Sequence, residues 1–122
     1  MNLPPNSAST PPIAVNEINA LPGVISHFQT DRNFTKNYAS DANAEVLGDL
    51  SSICLNFATT LSEAGGFGAV NRVAAYGASS KFLLFGLNSK RAESPGPRIF
   101  GICATGGSDE SKLVNEVNQI IS

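Results

Sequence analysis

Residues 42–63, ANAEVLGDLSSICLNFATTLSE, carry the periodicity on which the reading of this chain turns. Val46, Leu50, Ile53, Phe57 and Leu61 recur at steps of four, three, four and four, the spacing that lines up one side of an α-helix. With each residue advancing about 100°, the five fall within about 80° of one another; Leu47, Cys54 and Ala58 widen the stripe to about 140°, and Leu55 stands on the opposite side. Ser40 and Asp41 just before it are both good N-caps, because their side-chain oxygens can accept from the unpaired amides of a first helical turn. Gly65-Gly66 beyond it offer the backbone freedom that ends a helix. One sheet face needs only an ordinary core stripe, so a helix this broadly apolar is expected to cover a second surface as well.

Working outward toward the N-terminus, Ile13, Ile18 and Leu21 with Ala14 and Ala20 predict a short first helix, which Pro22-Gly23 cannot continue. Residues 24–29 alternate Val24, Ser26 and Phe28 against Ile25, His27 and Gln29, the period of a strand. Asp31-Arg32-Asn33 then supplies a turn in which Asn33 can take a left-handed backbone, and a second short strand is expected over 34–38. Toward the C-terminus, 69–76 and 81–87 read as a hairpin joined around Gly77-Ala78-Ser79. Phe82-Leu83-Leu84-Phe85 is continuously apolar rather than alternating, which calls for helices on both faces of the sheet. Residues 88–97, with Pro95-Gly96-Pro97, predict an exposed polar loop. Ile99, Phe100, Ile102, Cys103 and Ala104 repeat the two-sided pattern as a fifth strand. Ser108 is expected to cap a last helix with Asp109 and Glu110 in its first turn and Leu113, Val114, Val117, Ile120 and Ile121 buried. The predicted order is α-β-β-α-β-β-β-α, an α+β fold.

Residues 1–12, MNLPPNSASTPP, hold four prolines and little that could be buried, and are expected to form a disordered tail ahead of one domain over 13–122. At 122 residues and 42% apolar composition, the chain suffices for one core without staples. Eight basic and ten acidic residues give a net charge of −2, no field for a polyanion, so nucleic-acid binding is not expected. No apolar run approaches a membrane span and no signal-peptide pattern opens the chain, which points to a soluble, cytoplasmic protein.

No catalytic constellation emerges. His27, the one histidine, sits in a strand with no nucleophile or second ligand near it in sequence, and reads as a hydrogen-bonded structural residue. Cys54 and Cys103 lack metal-ligand spacing and read as small buried hydrophobes, so neither a metal nor any other cofactor is expected. Gly65-Gly66-Phe67-Gly68 precedes a strand, the wrong context for phosphate binding, and the glycines of Ala104-Thr105-Gly106-Gly107-Ser108 suit a turn better than an anion site. Arg72, Lys81, Lys90, Arg91 and Arg98 are spread over strands and loops, the pattern of a solvated surface or of edge protection.

Several of these stretches, taken in order, resemble the Roadblock family of dynein light chains and small-GTPase regulatory scaffolds. They are Ile18-Asn19-Ala20-Leu21-Pro22-Gly23-Val24, Thr30-Asp31, the long helix between two hairpins, and Arg72-Val73-Ala74-Ala75-Tyr76-Gly77 leading into Phe82-Leu83-Leu84-Phe85. Asn33 stands where the family often has Gly, and the 88–97 loop is longer than usual. The resemblance spans about residues 13–121. It implies a three-layer sandwich: a five-stranded antiparallel sheet in the order 2-1-5-4-3, helix 2 on one face and helices 1 and 3 on the other. It also implies a homodimer through helix 2 and the edge of strand 3, with Leu47, Cys54, Leu55, Ala58, Val70, Arg72 and Val73 as the interface residues. A non-catalytic platform for a small Ras-like GTPase is the function it suggests. A small-molecule sensor and a light-chain-like adaptor of a motor complex are the alternatives.

Overall fold

The computed structural model describes residues 11–122. Its elements are α1 (Val15–Asn19), β1 (Val24–Asp31), β2 (Lys36–Ala39), α2 (Ala42–Gly65), β3 (Arg72–Tyr76), β4 (Ser80–Ser89), β5 (Gly96–Thr105) and α3 (Glu110–Ile121). All strand pairs are antiparallel, in the order β2-β1-β5-β4-β3. The expected tail lies, apart from the exposed Pro11 and Pro12, outside the described residues.

The sheet divides two apolar layers. Under α1 and α3, Ile13, Ile18, Leu83, Phe85, Phe100, Ile102, Ala104, Leu113, Val117 and Ile121 form the larger core. Under α2, Phe28, Ala44 and Leu84 form a smaller one. Alternation along β4 sends Leu83 and Phe85 to one layer and Leu84 to the other, which is why the run 82–85 shows no period of two. Close packing in the thinner layer rests on Gly101, opposite Phe28 in the β1–β5 ladder. A Cβ there would fall 1.9 Å from the Phe28 ring.

Several boundaries differ from the sequence reading, each for a local reason. The hairpin of β4 and β5 extends through Asn88↔Pro97 and Ser89↔Gly96, so only 90–95 loops out of the stretch expected to be irregular. Pro97 fits there because the β1 ladder ends at Asp31↔Arg98, leaving no neighbour on that side to want its missing N–H. Asp109, not Ser108, caps α3, accepting from the Lys112 amide at 3.0 Å. Ser108 instead shares a hydrogen bond with Thr105 Oγ1 at 2.6 Å. At the β1–β2 turn the Asp31 carboxylate accepts from the amides of Asn33 and Thr35, and Phe34 rather than Asn33 takes the left-handed backbone, with φ of 64°. Beyond it β2 is only four residues long, and its pairing with β1 slips between Gln29 and Thr30. β3 starts at Arg72, three residues later than expected.

Candidate interaction surface

Asp41 starts α2, its side chain accepting from the Ala44 amide at 2.8 Å, and Gly66, with φ of 69°, ends it. Between these caps the helix is seated the other way round from what its apolar stripe suggests. Its buried residues are Ala44, Gly48, Ser51 and Ser62, with Leu47, Cys54 and Leu55 packed beside them on the sheet. Val46, Leu50, Ile53, Phe57 and Leu61, the five that set the period, point outward, Ile53 at 64% and Phe57 at 66% exposure. Size decides the seating. The ring of Phe28 already fills the space above Gly101, so the helix backbone approaches it through Gly48, where a Cβ would lie 3.5 Å from that ring and 2.7 Å from Lys36 Cδ. The hydroxyls on this face stay paired at close range: Ser51 donates to the Gly48 carbonyl at 2.8 Å and Ser62 to that of Gly68. Lys36 of β2 secures the same end of the helix with ion pairs to Glu45 and Asp49, both at 2.6 Å.

The outward ridge continues into Phe67, 78% exposed, and borders an open apolar cleft of about 470 Å³ where the C-terminal half of α2 meets the segment before β3. Residues 50–62 contain no charged side chain. β3 pairs with β4 along one side only, and its other side forms an edge of the sheet among the described residues. Of the interface residues named from the sequence, Ala58, Val70 and Arg72 line this cleft, while Leu47, Cys54, Leu55 and Val73 are half-buried against the molecule's own sheet. Arg72 pairs with Glu110 of α3 at 3.4 Å, and Tyr76 donates its hydroxyl to the same carboxylate at 2.6 Å. That hydrogen bond, with burial and the neighbouring negative charge, raises the Tyr76 phenol above its ordinary range.

His27 lies on the opposite face of the sheet in a polar network that ties α1 down. Nδ1 meets Asn19 Oδ1 at 2.6 Å and Nε2 meets Gln29 Nε2 at 3.1 Å. The Gln29 amide is itself fixed by the Ile13 backbone, accepting at 2.8 Å and donating at 2.7 Å. Asn19 donates to Tyr38 Oη at 2.8 Å, and the Tyr38 ring lies 4.8 Å from the imidazole. The pattern assigns Nδ1 as the donor and Nε2 as the acceptor, a neutral imidazole, and burial lowers its pKa to about 4. Only 1% exposed and with both nitrogens engaged by amides, the ring has no free lone pair to offer a substrate. Among the described residues no three of His, Cys, Asp and Glu gather as a metal site. No described helix is long and apolar enough to cross a membrane. Arg98, expected on a solvated surface or at a protected edge, is instead buried, because it shares the alternation of Phe100 and Ile102 and so falls on the inner face; Ser94 of the 90–95 loop is buried beside it.

No protein-family model matches the sequence, and no curated protein sequence matches it. Among solved structures, the crystal structure of a Roadblock/LC7 domain from Streptomyces avermitilis is similar with a TM-score of 0.63 and 14% identity, covering 87% of this chain and 86% of that one. At that identity the likeness is one of fold, and it matches the topology already described: three helices around a five-stranded antiparallel sheet in the order 2-1-5-4-3.

Proposed function

From a Roadblock-like fold as the premise, we propose that this protein is a non-catalytic dimeric scaffold that binds a small Ras-like GTPase and modulates its nucleotide cycle or its location in the cytoplasm. The observation that carries the reading is the ridge Val46, Leu50, Ile53, Phe57 and Leu61, turned away from the protein's own core and running toward the free edge of β3. Burying one side chain of this kind stabilises an assembly by about 1.5–3 kcal/mol when fully removed from water. A two-fold interface counts every such residue twice. The absence of charge from residues 50–62 suits the dry centre of a permanent interface, where charged side chains are depleted. Ala58, Val70 and Arg72 belong to that interface directly; Leu47, Cys54, Leu55 and Val73 support it from beneath, half-buried between helix and sheet.

The regulatory half of the proposal rests on analogy of fold and on the chemistry around His27, which offers no base for turnover. A rigid dimeric platform can act on a GTPase without donating a residue, by holding the switch segments in one of their states. Two measurements test it. Light scattering at micromolar concentration is expected to give twice the 12.7 kDa chain mass. A Ras-like GTPase of the same cell, recovered on immobilised protein and loaded with fluorescent nucleotide, is expected to release or hydrolyse it at a changed rate. A monomer in the first experiment, or unaided substrate turnover by the purified chain, would sink the proposal.

A further inference from the structure

β3 runs in unbroken register along β4 from Arg72 to Tyr76 and leaves its other side unpaired among the described residues. Alternation puts Arg72, Ala74 and Tyr76 on the face toward α3. Ala74 packs on the larger core there, and from either side of it Arg72 and Tyr76 reach Glu110 in the first turn of α3. The two reaches are unequal. Tyr76 donates to Oε2 at 2.6 Å, whereas Arg72 comes to Oε1 with Nη1 alone and only to 3.4 Å. A well-made guanidinium–carboxylate contact is shorter, about 2.7–2.9 Å, and often uses two donors. Among the described residues the other donors of this fork have no partner. Arg72 thus has donors to spare, and Oε1 of Glu110 is only loosely engaged.

We propose that two copies of this chain join β3 to β3 with Ala74 on the two-fold axis, each Arg72 lying against the partner's Tyr76 and completing its ion pair on the partner's Glu110. The inference rests on the dimeric scaffold reading and adds a register and a lock to it. Antiparallel strands related by a two-fold axis normal to the sheet keep their faces aligned, and residues directly opposite share a face. Opposite residues therefore lie an even number of positions apart. One such register pairs all five residues of β3: Arg72 with the partner's Tyr76, Val73 with the partner's Ala75, and Ala74 with itself. Directly opposite side chains stand with their Cβ atoms about 4.5–5.5 Å apart. Arginine and tyrosine are of similar length, so the guanidinium runs along the phenol ring and ends level with the bond from Tyr76 to Glu110. The two arginines stay roughly 14 Å apart, four residues at about 3.4 Å each, so like charges do not meet. A register centred on Arg72 would set them opposite one another and is disfavoured. The joined edge is complementary in charge at both ends, cation to carboxylate, and apolar between. The same register lays the exposed turn at Gly77-Ala78-Ser79 beside the partner's residues 69–71, at the mouth of the apolar cleft that Phe67 borders.

The test mixes two full-length variants, Arg72→Glu and Glu110→Lys, both checked by far-UV circular dichroism. Alone, each sets like charges against one another at both ends of the register, and its self-association is expected to weaken about a hundredfold from wild type. In an equal mixture, the carboxylate introduced at position 72 faces the ammonium introduced at position 110, while Arg72 of the second chain faces Glu110 of the first. The heterodimer is expected to bind about tenfold or more tighter than either variant binds itself, as read by native mass spectrometry. Mixing cannot repair a contact within one chain, so the gain reports contacts between chains. In the unaltered protein, with half of the chains isotope-labelled, a filtered NOE is expected between the Tyr76 ring of one chain and Arg72 of the other, a measurement that needs neither variant to fold. A mixture of folded variants that binds no tighter than its parts, or a wild-type dimer without that NOE, overturns the register and leaves the scaffold reading standing. A wild-type monomer overturns both.

Discussion

Acid is expected to destabilise this protein through one residue. The folded chain holds His27 neutral, with Nδ1–H directed at Asn19 Oδ1 and Nε2 accepting from Gln29. A proton added at Nε2 would face the Gln29 N–H, donor against donor, and Gln29 cannot turn its amide over without breaking both bonds to the Ile13 backbone. An unfolded chain takes up the proton near pH 6.5, the folded one only near pH 4, so the unfolded state binds more protons throughout that window. Stability therefore rises with pH across it, is complete above 6.5, and is lost as pH falls toward 4. At 1.36 kcal/mol per tenfold change in proton affinity, the whole interval is worth about 3 kcal/mol, of which about 2.5 kcal/mol separates pH 7 from pH 4.5. Against the 5–15 kcal/mol typical of a folded domain that is a large fraction. Urea unfolding at the two pH values, on wild type and on His27→Gln, isolates the effect, because the carboxylates titrate alike in both proteins. Wild type is expected to lose about 2.5 kcal/mol more than the variant between pH 7 and 4.5. Equal losses would refute the reasoning.

Phe57→Glu is expected to give a monomer by light scattering while its far-UV circular dichroism stays that of the wild type, since the side chain is exposed on the single chain; the loss of unfolding free energy is expected to be about 2 kcal/mol or more and to grow with protein concentration, as removal of a subunit interface requires, and a variant that loses its secondary structure would mean that the residue belongs to the core. Gly101→Ala drives a methyl group into the Phe28 ring and is expected to cost about 1–3 kcal/mol in urea unfolding, with part of the loss recovered when Phe28→Leu is added. Asp41→Ala and Asp109→Ala each remove a carboxylate that accepts from a first-turn amide, and each is expected to cost about 1 kcal/mol by thermal melting. Ser108→Ala, which touches no helix amide, is expected to cost less than Asp109→Ala.

The order of elements and the two-sided sheet were legible because both depend on local signals: the unbroken run Phe82-Leu83-Leu84-Phe85, the Pro22-Gly23 stop, and acidic or hydroxyl residues at helix starts. The seating of α2 was not. Periodicity counts apolar side chains and is silent on size, whereas the sheet accepts the face of this helix that is small, at Ala44, Gly48, Ser51 and Ser62. The clue existed in the pairing of a large residue, Phe28, with glycines at 48 and 101, but it lies in contacts between distant positions. The same limit hid the burial of Arg98. A lone arginine between Pro97 and Ile99 looks like a surface residue until the strand is extended back to Gly96 and its alternation turns the side chain inward. At the β1–β2 turn, composition favoured Asn33 for the left-handed residue, but the two amides drawn to the Asp31 carboxylate set the conformation of Phe34 instead.

The unequal margins of the sheet also bound how large an assembly can grow. A chain whose two outer strands were both long and regular could add a copy at either end and lengthen into a filament without a natural stop. Here one margin, β2, is four residues long and twisted out of step where its ladder slips between Gln29 and Thr30. The other, β3, keeps an unbroken register with β4 from Arg72 to Tyr76. Growth through β3 about a two-fold axis consumes the same margin on both molecules and leaves two β2 strands outermost, each a poor template. In the proposed dimer the four short residues of β2 would end the joined sheet at both margins, and lengthening or straightening them is expected to turn a closed pair into the repeating unit of a fibre.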